Sequence, residues 1–466
     1  MRRRITRLIG AWMLGCALLA LALTYYGLAR ADQLAADPGN PRVQALARSV
    51  RRGAVTLRDG NPIARSTEAD PTLRVWMGPD SLSPLVGYAS PVMGSAGLEA
   101  AYDAWLIGLR YDFRRTGLLY TLLGTPERGF DVELTVDRRV QNACEEALAG
   151  RRGAAVVMDA VTGEILAAAS SPWISPPQLE QSWERVMARE DSPMLCRATS
   201  GLYPPGSSLK PALAAAAFDM GVLDPHAVWQ CDGAIQAGHS TISDSTGAHG
   251  DVVLDGAVAM SCNTFFVQLV LRAGAGIRDR LAKMHLTAAH SLGLPSARAS
   301  LGKPDASSES LAQLAIGQGD MLVTPLHMAA VYAAIANRGV MMRPLLAARV
   351  LNSAGREVHR WVPKRLGSVM SPEASICVES ALRAAVDWGT AQGAELVGEQ
   401  VFGKTGTAQN PGGEPHSWFC GYVRVPGGTA ALALVVENAG SGGAVAAPLA
   451  RDILRVVAEG RWGHGR

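Results

Sequence analysis

The first thirty residues carry the most pronounced hydrophobic pattern of the chain. An apolar run extends from Leu8 to Ala29, close to the roughly 20 residues that a helix needs to cross a bilayer. Four arginines precede it: Arg2, Arg3, Arg4 and Arg7. Because cytoplasmic flanks carry the excess of positive charge, we expect residues 1–7 in the cytoplasm, residues 8–29 in the membrane and everything after Arg30 outside the cytoplasm.

A cleaved signal peptide is the alternative interpretation of the same run. Ala29-Arg30-Ala31 has the small-residue spacing of a cleavage site before Asp32. The run is longer than the roughly 7–15 apolar residues of a signal peptide. We therefore favour a retained single-pass anchor in the cytoplasmic membrane.

Two further regions follow the apolar run. Residues 30–130 contain scattered Gly and Pro with short strand-like pieces and predict a small accessory domain. Residues 131–460 predict a larger domain, with alternating or continuous apolar strands and amphipathic helices. Its predicted elements are strands at 132–136, 153–159, 163–169 and 432–437 and helices at 138–148 and 446–458. The order predicts an α/β fold with a largely antiparallel sheet flanked by helices.

Composition excludes some classes of function. The 466 residues include 44 Lys and Arg against 41 Asp and Glu, a net charge of +3, which is too balanced for a nucleic-acid partner. The seven cysteines form no C-x-x-C pair, so we expect no metal site. A disulfide between Cys231 and Cys262 stays open, because sequence cannot test its geometry.

The first candidate for chemistry is Ser207 with Lys210. Pro211 is tolerated only near a helix start, which puts Ser207 and Lys210 on one face of the first turn. A desolvated amine can take the proton of a serine hydroxyl and make it a nucleophile. Taken alone, however, the pair also fits an N-capping serine followed by an incidental lysine.

Two later segments favour the catalytic interpretation. Ser261-Cys262-Asn263 offers a hydroxyl to relay a proton and an amide to bind a peptide group. Lys404-Thr405-Gly406-Thr407 offers a positive charge for a substrate carboxylate and a glycine that leaves room for an extended peptide. The backbone N–H groups of Ser207 and Thr407 are the natural oxyanion-hole pair. Cys262 is interpreted as a small filler and His249 as a structural turn contact.

In this order the segments are similar to the S-x-x-K, S-x-N and K-T-G motifs of the penicillin-interacting serine acyltransferases. The chain resembles the class B penicillin-binding proteins, closest to the compact actinobacterial-type members. Further likeness lies in Ile316-Gly317-Gln318-Gly319 and in Gly97-Leu98-Glu99 of the membrane-proximal region, called the pedestal.

The resemblance implies a penicillin-binding transpeptidase fold that cross-links peptidoglycan stem peptides ending in D-Ala-D-Ala. It implies catalytic Ser207, Lys210 and Ser261, with Asn263, Lys404, Thr405, Gly406 and Thr407 binding the substrate. It also implies inhibition by β-lactams, no cofactor, and a membrane glycan polymerase as partner. Roles in division, elongation and sporulation are not distinguished.

Three alternatives remain on sequence grounds. A β-lactamase or a D,D-carboxypeptidase would share the motifs and use water as the acceptor. A membrane-anchored β-lactam sensor or scaffold would keep the pocket only as a receptor. The absence of a Glu-x-x-x-Asn segment between Ser261 and Lys404 argues against a class A β-lactamase.

Overall fold

The computed structural model describes residues 2–30, 50–70, 73–108, 128–290 and 292–460. The alternative cleavage site before Asp32 and parts of the predicted pedestal therefore lie outside the described residues. The described α-helices are α1 (Arg2–Thr24), α2 (Ser83–Val86), α3 (Gly97–Ala101), α4 (Asp103–Leu106), α5 (Arg138–Ala147), α6 (Pro176–Gln181), α7 (Trp183–Met187), α8 (Arg197–Ser200), α9 (Lys210–Asp219), α10 (Leu254–Ala259), α11 (Asn263–Ala273), α12 (Gly276–Lys283), α13 (Ser308–Ala315), α14 (Pro325–Ala336), α15 (Pro372–Asp387) and α16 (Ala446–Glu459).

The strands are mostly short, except for those of one long antiparallel sheet. They are β1 (Val55–Thr56), β2 (Pro62–Ser66), β3 (Arg74–Trp76), β4 (Ala89–Ser90), β5 (Gly94–Ser95), β6 (Asp131–Leu134), β7 (Gly153–Asp159), β8 (Ile165–Ser171), β9 (Trp229–Cys231), β10 (Ala234–Ala237), β11 (Ser240–Ser243), β12 (Gly250–Val252), β13 (Ser300–Leu301), β14 (Met321–Leu322), β15 (Val340–Met342), β16 (Ala347–Leu351), β17 (Glu357–Arg360), β18 (Arg365–Ser368), β19 (Gln400–Asn410), β20 (Gly413–Val425) and β21 (Gly428–Val436).

The central sheet has five antiparallel strands in the order β19-β20-β21-β7-β8. Helices α5 and α16 pack on this sheet, and α14 packs on β7, β20 and β21. Every residue of β7, β8 and α14 is buried, which explains why these segments are apolar throughout. The predicted α/β fold with a largely antiparallel sheet is confirmed. β19 is an edge strand of this sheet.

A second sheet joins the pedestal to the catalytic part. Its six strands run in the order β17-β16-β6-β1-β2-β3. β6 pairs with β1 in parallel and with β16 antiparallel. The strand predicted at 132–136 thus belongs to this pedestal sheet, and residues 347–360 return from the catalytic part to complete it.

The N-terminal helix has the length and composition predicted from the sequence. α1 continues as a π-helical turn from Tyr25 to Ala29. The segment Arg4–Gly27 has a mean hydropathy of 2.0 and is exposed. This helix is compatible with a single-pass membrane anchor.

Candidate active site

Ser207 lies in a turn of 3₁₀-helix, Gly206–Leu209, that leads directly into α9. Gly206 has a φ of +56°, a left-handed conformation that glycine adopts without strain. Because side chains three apart eclipse in a 3₁₀-helix, Ser207 and Lys210 share a face, as predicted. Ser207 is half-buried, and its hydroxyl has no hydrogen-bond partner among the described residues.

The turn that carries Ser207 is held by hydrogen bonds on both sides. Ser208 donates to the carbonyl of Pro205 at 2.7 Å, and its own carbonyl accepts from the Tyr332 hydroxyl at 2.8 Å. The Trp418 indole donates to the Pro204 carbonyl at 3.1 Å. These contacts fix the turn of Ser207 on α14 and the central sheet, and precise positioning of this kind is what a catalytic side chain needs.

Lys210 has no exposed surface. Its ammonium donates to the Ser261 carbonyl at 2.6 Å and to Asn263 Oδ1 at 2.7 Å, and it lies 3.3 Å from Ser261 Oγ. Burial lowers the pKa of Lys210 to about 7, although the charges of Asp244 and Cys262 act in the opposite direction. A neutral amine is therefore accessible near neutral pH, as general-base catalysis requires.

Ser261 and Asn263 lie on the turn between α10 and α11. Ser261 has a φ of +61°, a strained conformation for a residue with a side chain. Asp244 supports the turn by accepting hydrogen bonds from the backbone N–H of Asn263 and from Thr264 Oγ1. The Asn263 side chain is oriented by its amide, which donates to the Ser243 carbonyl at 2.8 Å.

Lys404 to Thr407 lie on the edge strand β19. Lys404 is fully buried, and burial together with Lys210 lowers its pKa. Its ammonium donates to the Thr405 carbonyl at 3.0 Å and to Thr390 Oγ1 at 3.3 Å. Thr405 Oγ1 donates to Thr390 Oγ1 at 2.9 Å. The exposed Thr407 hydroxyl accepts from the N–H of Gly442 at 3.1 Å.

Gly406 allows the turn that carries Ser207 to approach β19 closely. A Cβ atom at Gly406 would lie 2.9 Å from the Pro205 carbonyl oxygen and 3.1 Å from the Ser208 nitrogen. A Cβ atom at Gly206 would likewise lie 3.1 Å from the Thr407 carbonyl oxygen. The glycine was expected to make room for substrate, and the structure gives it this additional steric role.

The three predicted segments therefore meet at one place, with Lys210 bound to the second segment and the turn of Ser207 packed on the third. Sequence reasoning missed Thr390 and Asp244. Both are ordinary polar residues outside the motifs they support, 14 positions before Lys404 and 19 before Asn263, so no pattern within the motifs distinguishes them.

Four other residues could hold a metal ion beside this site. Ligand atoms of Cys231, Asp244, His249 and Cys262 all lie within 4.8 Å of one another. The expectation of no metal site rested on sequence spacing, and the fold brings these residues together from separate segments. Both cysteines are free.

The fold and this geometry are those of a serine acyltransferase. Residues 153–455 match the family model of the penicillin binding protein transpeptidase domain, and residues 52–132 match the penicillin binding protein A dimerisation domain. The chain belongs to the penicillin-binding protein transpeptidase family, as the sequence resemblance predicted.

Several relatives are similar along almost their whole length. Peptidoglycan D,D-transpeptidase PbpA of Mycolicibacterium smegmatis is 32% identical, over 97% of this chain and 98% of the relative. The PbpA protein of Mycobacterium tuberculosis is also 32% identical, over 95% and 96%.

Solved structures show the same fold. The imipenem acyl-enzyme of penicillin-binding protein A from M. tuberculosis has a TM-score of 0.81 at 29% identity, covering 88% of this chain and 99% of that one. The D,D-transpeptidase domain of a peptidoglycan glycosyltransferase from Eggerthella lenta has a TM-score of 0.80 at 31% identity, with the same coverage.

Proposed function

We propose that this protein is a peptidoglycan D,D-transpeptidase that works through a Ser207 acyl-enzyme. The observation that carries the proposal is the buried amine of Lys210, with a pKa of about 7, one 3₁₀ turn from Ser207 and bonded to Asn263. Lys210 accepts the Ser207 proton as the hydroxyl attacks the penultimate D-Ala carbonyl. The terminal D-Ala leaves, and an amine of a second stem peptide then attacks the ester.

The remaining motif residues supply binding and charge stabilisation. Ser261, 3.3 Å from the Lys210 amine, relays the proton to the leaving amine. Asn263 binds the stem-peptide backbone, while Lys404 and Thr405 attract the substrate carboxylate. The N–H groups of Ser207 and Thr407 stabilise the oxyanion. Serine and lysine complete the proton cycle without a cofactor.

We also propose the setting in which the enzyme works. α1 anchors the chain in the cytoplasmic membrane, and the arginines at its N-terminal end keep the N-terminus inside. A membrane glycan polymerase contacts the anchor and the pedestal. A reporter that is active only outside the cytoplasm, fused after Arg466, should be active on a membrane-bound full-length protein. A soluble product that starts at Asp32 would contradict the anchor.

The proposed reaction is tested by labelled penicillin together with a cross-linking assay. Penicillin should label the wild type and the control Ser353→Ala, which changes an exposed serine, and Ser207→Ala should abolish both the labelling and the formation of cross-linked peptides. Labelling that maps to another residue would overturn the mechanism.

The fate of the acyl-enzyme separates the alternative functions. A transpeptidase keeps the penicilloyl label long after free drug is removed and transfers stem peptide to an amine. Rapid loss of label with release of hydrolysed drug would indicate a β-lactamase, and water-only turnover of stem peptide a D,D-carboxypeptidase. Labelling without any peptide turnover would indicate a sensor or scaffold.

A further inference from the structure

A compact group of metal-ligand side chains lies behind the turn of Ser261 and Asn263. Its members come from four segments: Cys231 ends β9, Asp244 follows β11, His249 precedes β12, and Cys262 caps the N-terminus of α11. Cys231 and Cys262 have no exposed surface, and Asp244 is buried. Within the described residues no other such group of His, Cys, Asp and Glu occurs.

Three separations between ligand atoms lie in the range of a tetrahedral site. Zinc bonds of about 2.3 Å to sulfur and about 2.0–2.1 Å to nitrogen or oxygen place neighbouring ligands roughly 3.3–3.8 Å apart. Cys231 Sγ lies 3.3 Å from His249 Nδ1 and 3.4 Å from Asp244 Oδ2. Cys262 Sγ lies 3.7 Å from the same Asp244 oxygen. All four ligand atoms lie within 4.8 Å of one another, so small shifts of the side chains would place them around one metal ion.

Polar contacts of the two sulfurs hold the group together. Cys231 Sγ faces both a histidine nitrogen and a carboxylate oxygen, and a metal ion bound to all three would replace these hydrogen bonds by coordination bonds. Cys262 Sγ accepts from the N–H of Phe265 at 3.3 Å, a capping role that Ser, Thr, Asp and Asn usually fill. Burial raises the pKa of the Cys262 thiol to about 12, so metal binding has to displace the thiol proton.

Contacts outside the group orient the ligands. Thr246 Oγ1 lies 2.8 Å from His249 Nε2, which leaves Nδ1 directed toward the cysteines. Asp244 is held by hydrogen bonds from Thr264 Oγ1 at 2.6 Å and from the N–H of Asn263. Such outer contacts are typical of metal sites, where they fix the tautomer and direction of each ligand.

We propose that Cys231, Asp244, His249 and Cys262 bind one Zn²⁺ ion. Two thiolates, an imidazole and a carboxylate suit zinc, and four protein ligands leave no open position for catalysis. The ion is structural and links β9, β11 and β12 to the turn that presents Ser261 and Asn263 to Lys210. Zinc binding at these residues does not depend on which acceptor the acyl-enzyme uses.

The site has a direct effect on the catalytic turn. Cys262 stands between Ser261 and Asn263, and Asp244 accepts from the Asn263 N–H. Ser261 is held in a left-handed conformation at φ +61°, which must be maintained by its surroundings. Removal of the ion releases Cys262 and loosens the turn that orients Lys210.

Metal analysis of the full-length protein, purified in detergent without chelator, tests the binding. We expect about one zinc per chain, and a large loss of zinc in Cys231→Ser and in His249→Ala. Cys377→Ser is the matched control, since this cysteine lies on α15 outside the group, and it should keep the zinc. If Cys231→Ser fails to fold, the zinc content of His249→Ala, a change at a half-exposed residue, still tests the proposal. The zinc content of the chelated wild type tests it as well.

Spectroscopy and stability supply readouts that do not involve catalysis. Cobalt added to chelated wild type should give the sulfur-to-metal absorption of a tetrahedral thiolate site, and the Cys231→Ser variant should lose most of it. Chelation should lower the Tm of the wild type, and added zinc should restore it. No zinc on purification and none bound on reconstitution, or a Cys231–Cys262 disulfide in intact protein by mass spectrometry, would overturn the proposal.

The role of the ion in positioning is tested by penicillin acylation. The zinc-free wild type should acylate about tenfold more slowly, in line with the loss of a supporting contact at a metal site, and zinc should restore the rate. Zinc binding with an unchanged acylation rate in the zinc-free form would contradict the positioning role.

Discussion

Lys210 is a charged residue type without exposed surface, and its environment determines the pH at which Ser207 can react. Burial favours the neutral amine, and the opposing charges of Asp244 and Cys262 do not reverse this effect. The charge of Lys210 in turn adds to burial in lowering the pKa of Lys404. The surroundings of Lys210 thus bring its pKa to about 7, as is typical of catalytic lysines.

The rate of penicillin acylation should depend on the protonation of Lys210. Because the folded pKa of about 7 lies below the ordinary value of 10.5, the active neutral amine forms as the pH rises through 7, and the rate should then reach a plateau. Stopped-flow acylation between acid and mildly alkaline pH measures this profile. The exposed Lys303→Ala is the control and should keep it, whereas Lys210→Ala should lose acylation by orders of magnitude. A profile that stays flat through pH 7 would exclude Lys210 as the base.

Glu99 is the buried anion of the pedestal. Its carboxylate forms ion pairs with Arg52 Nε at 2.6 Å and with Arg74 Nη2 at 2.5 Å, and its side chain is 2% exposed. Burial raises its pKa, but the two guanidinium groups outweigh this effect and leave the pKa lowered. The stability that this group contributes is therefore present above its unfolded-state pKa and is lost as the pH falls through the folded value.

Glu99→Gln should lower the free energy of unfolding by about 3–5 kcal/mol, because it leaves the buried Arg74 without its ion-pair partner and Arg52 with Asp103 alone. Glu357→Gln removes a partner of the exposed Arg360 and should change it by about 0–1 kcal/mol. Denaturant titration of both variants measures the difference. Equal effects would show that burial of the ion pair does not matter.

The three motif segments that meet at the candidate site could be recognised from the sequence because they form short local patterns. Ser207 and Lys210, for example, share one turn. Thr390 and Glu99 act through contacts with residues distant in sequence, and nothing about their neighbours marks them. The same holds for Cys231 and His249, whose spacing resembles no familiar metal motif.

Among the elements, β19 and the 3₁₀ turn of Ser207 depend on each other. The strand presents Gly406 to the backbone of Pro205 and Ser208. No side chain can be accommodated there without moving the turn. The position of Ser207 is therefore set by contact between the backbone of its turn and the backbone of β19.

Gly406→Ala should displace the turn and slow acylation of Ser207, by about 10²-fold for a shift near 1 Å. Gly412→Ala is the matched control in the loop after β19, where an added Cβ meets nothing closer than 3.8 Å. Acylation rates and Tm are measured for both variants. Wild-type acylation by a folded Gly406→Ala protein would contradict this steric role.

The central elements followed from periodicity. The hairpin predicted at 153–159 and 163–169 is confirmed as β7 and β8, and the helices predicted at 138–148 and 446–458 are confirmed within one residue at each end. The pairing of β16 with β6 was not predictable. Both strands are too short to show a clear hydrophobic periodicity, and more than half of the residues of the catalytic region separate them along the chain.

At the scale of the whole molecule, the shared six-stranded sheet couples the pedestal to the catalytic part. β6 lies between β1 of the pedestal and β16 of the catalytic region. Arg349 on β16 also forms an ion pair with Glu133 on β6 at 2.9 Å. If either part unfolded, its strands would leave this sheet and the buried strands of the other part would be exposed.

We therefore expect the described pedestal and the catalytic part to unfold together. Val55→Ala removes apolar volume from β1, where Val55 is fully buried, at a cost of about 2 kcal/mol. It should lower the temperature at which penicillin binding is lost, although Val55 lies in the other domain. Calorimetry and temperature-dependent labelling should shift by the same amount, whereas the exposed Val362→Ala should shift neither. The contrary result is two separate calorimetric transitions, of which Val55→Ala moves only the one that does not accompany loss of penicillin binding. That result would show that the shared sheet does not couple the domains.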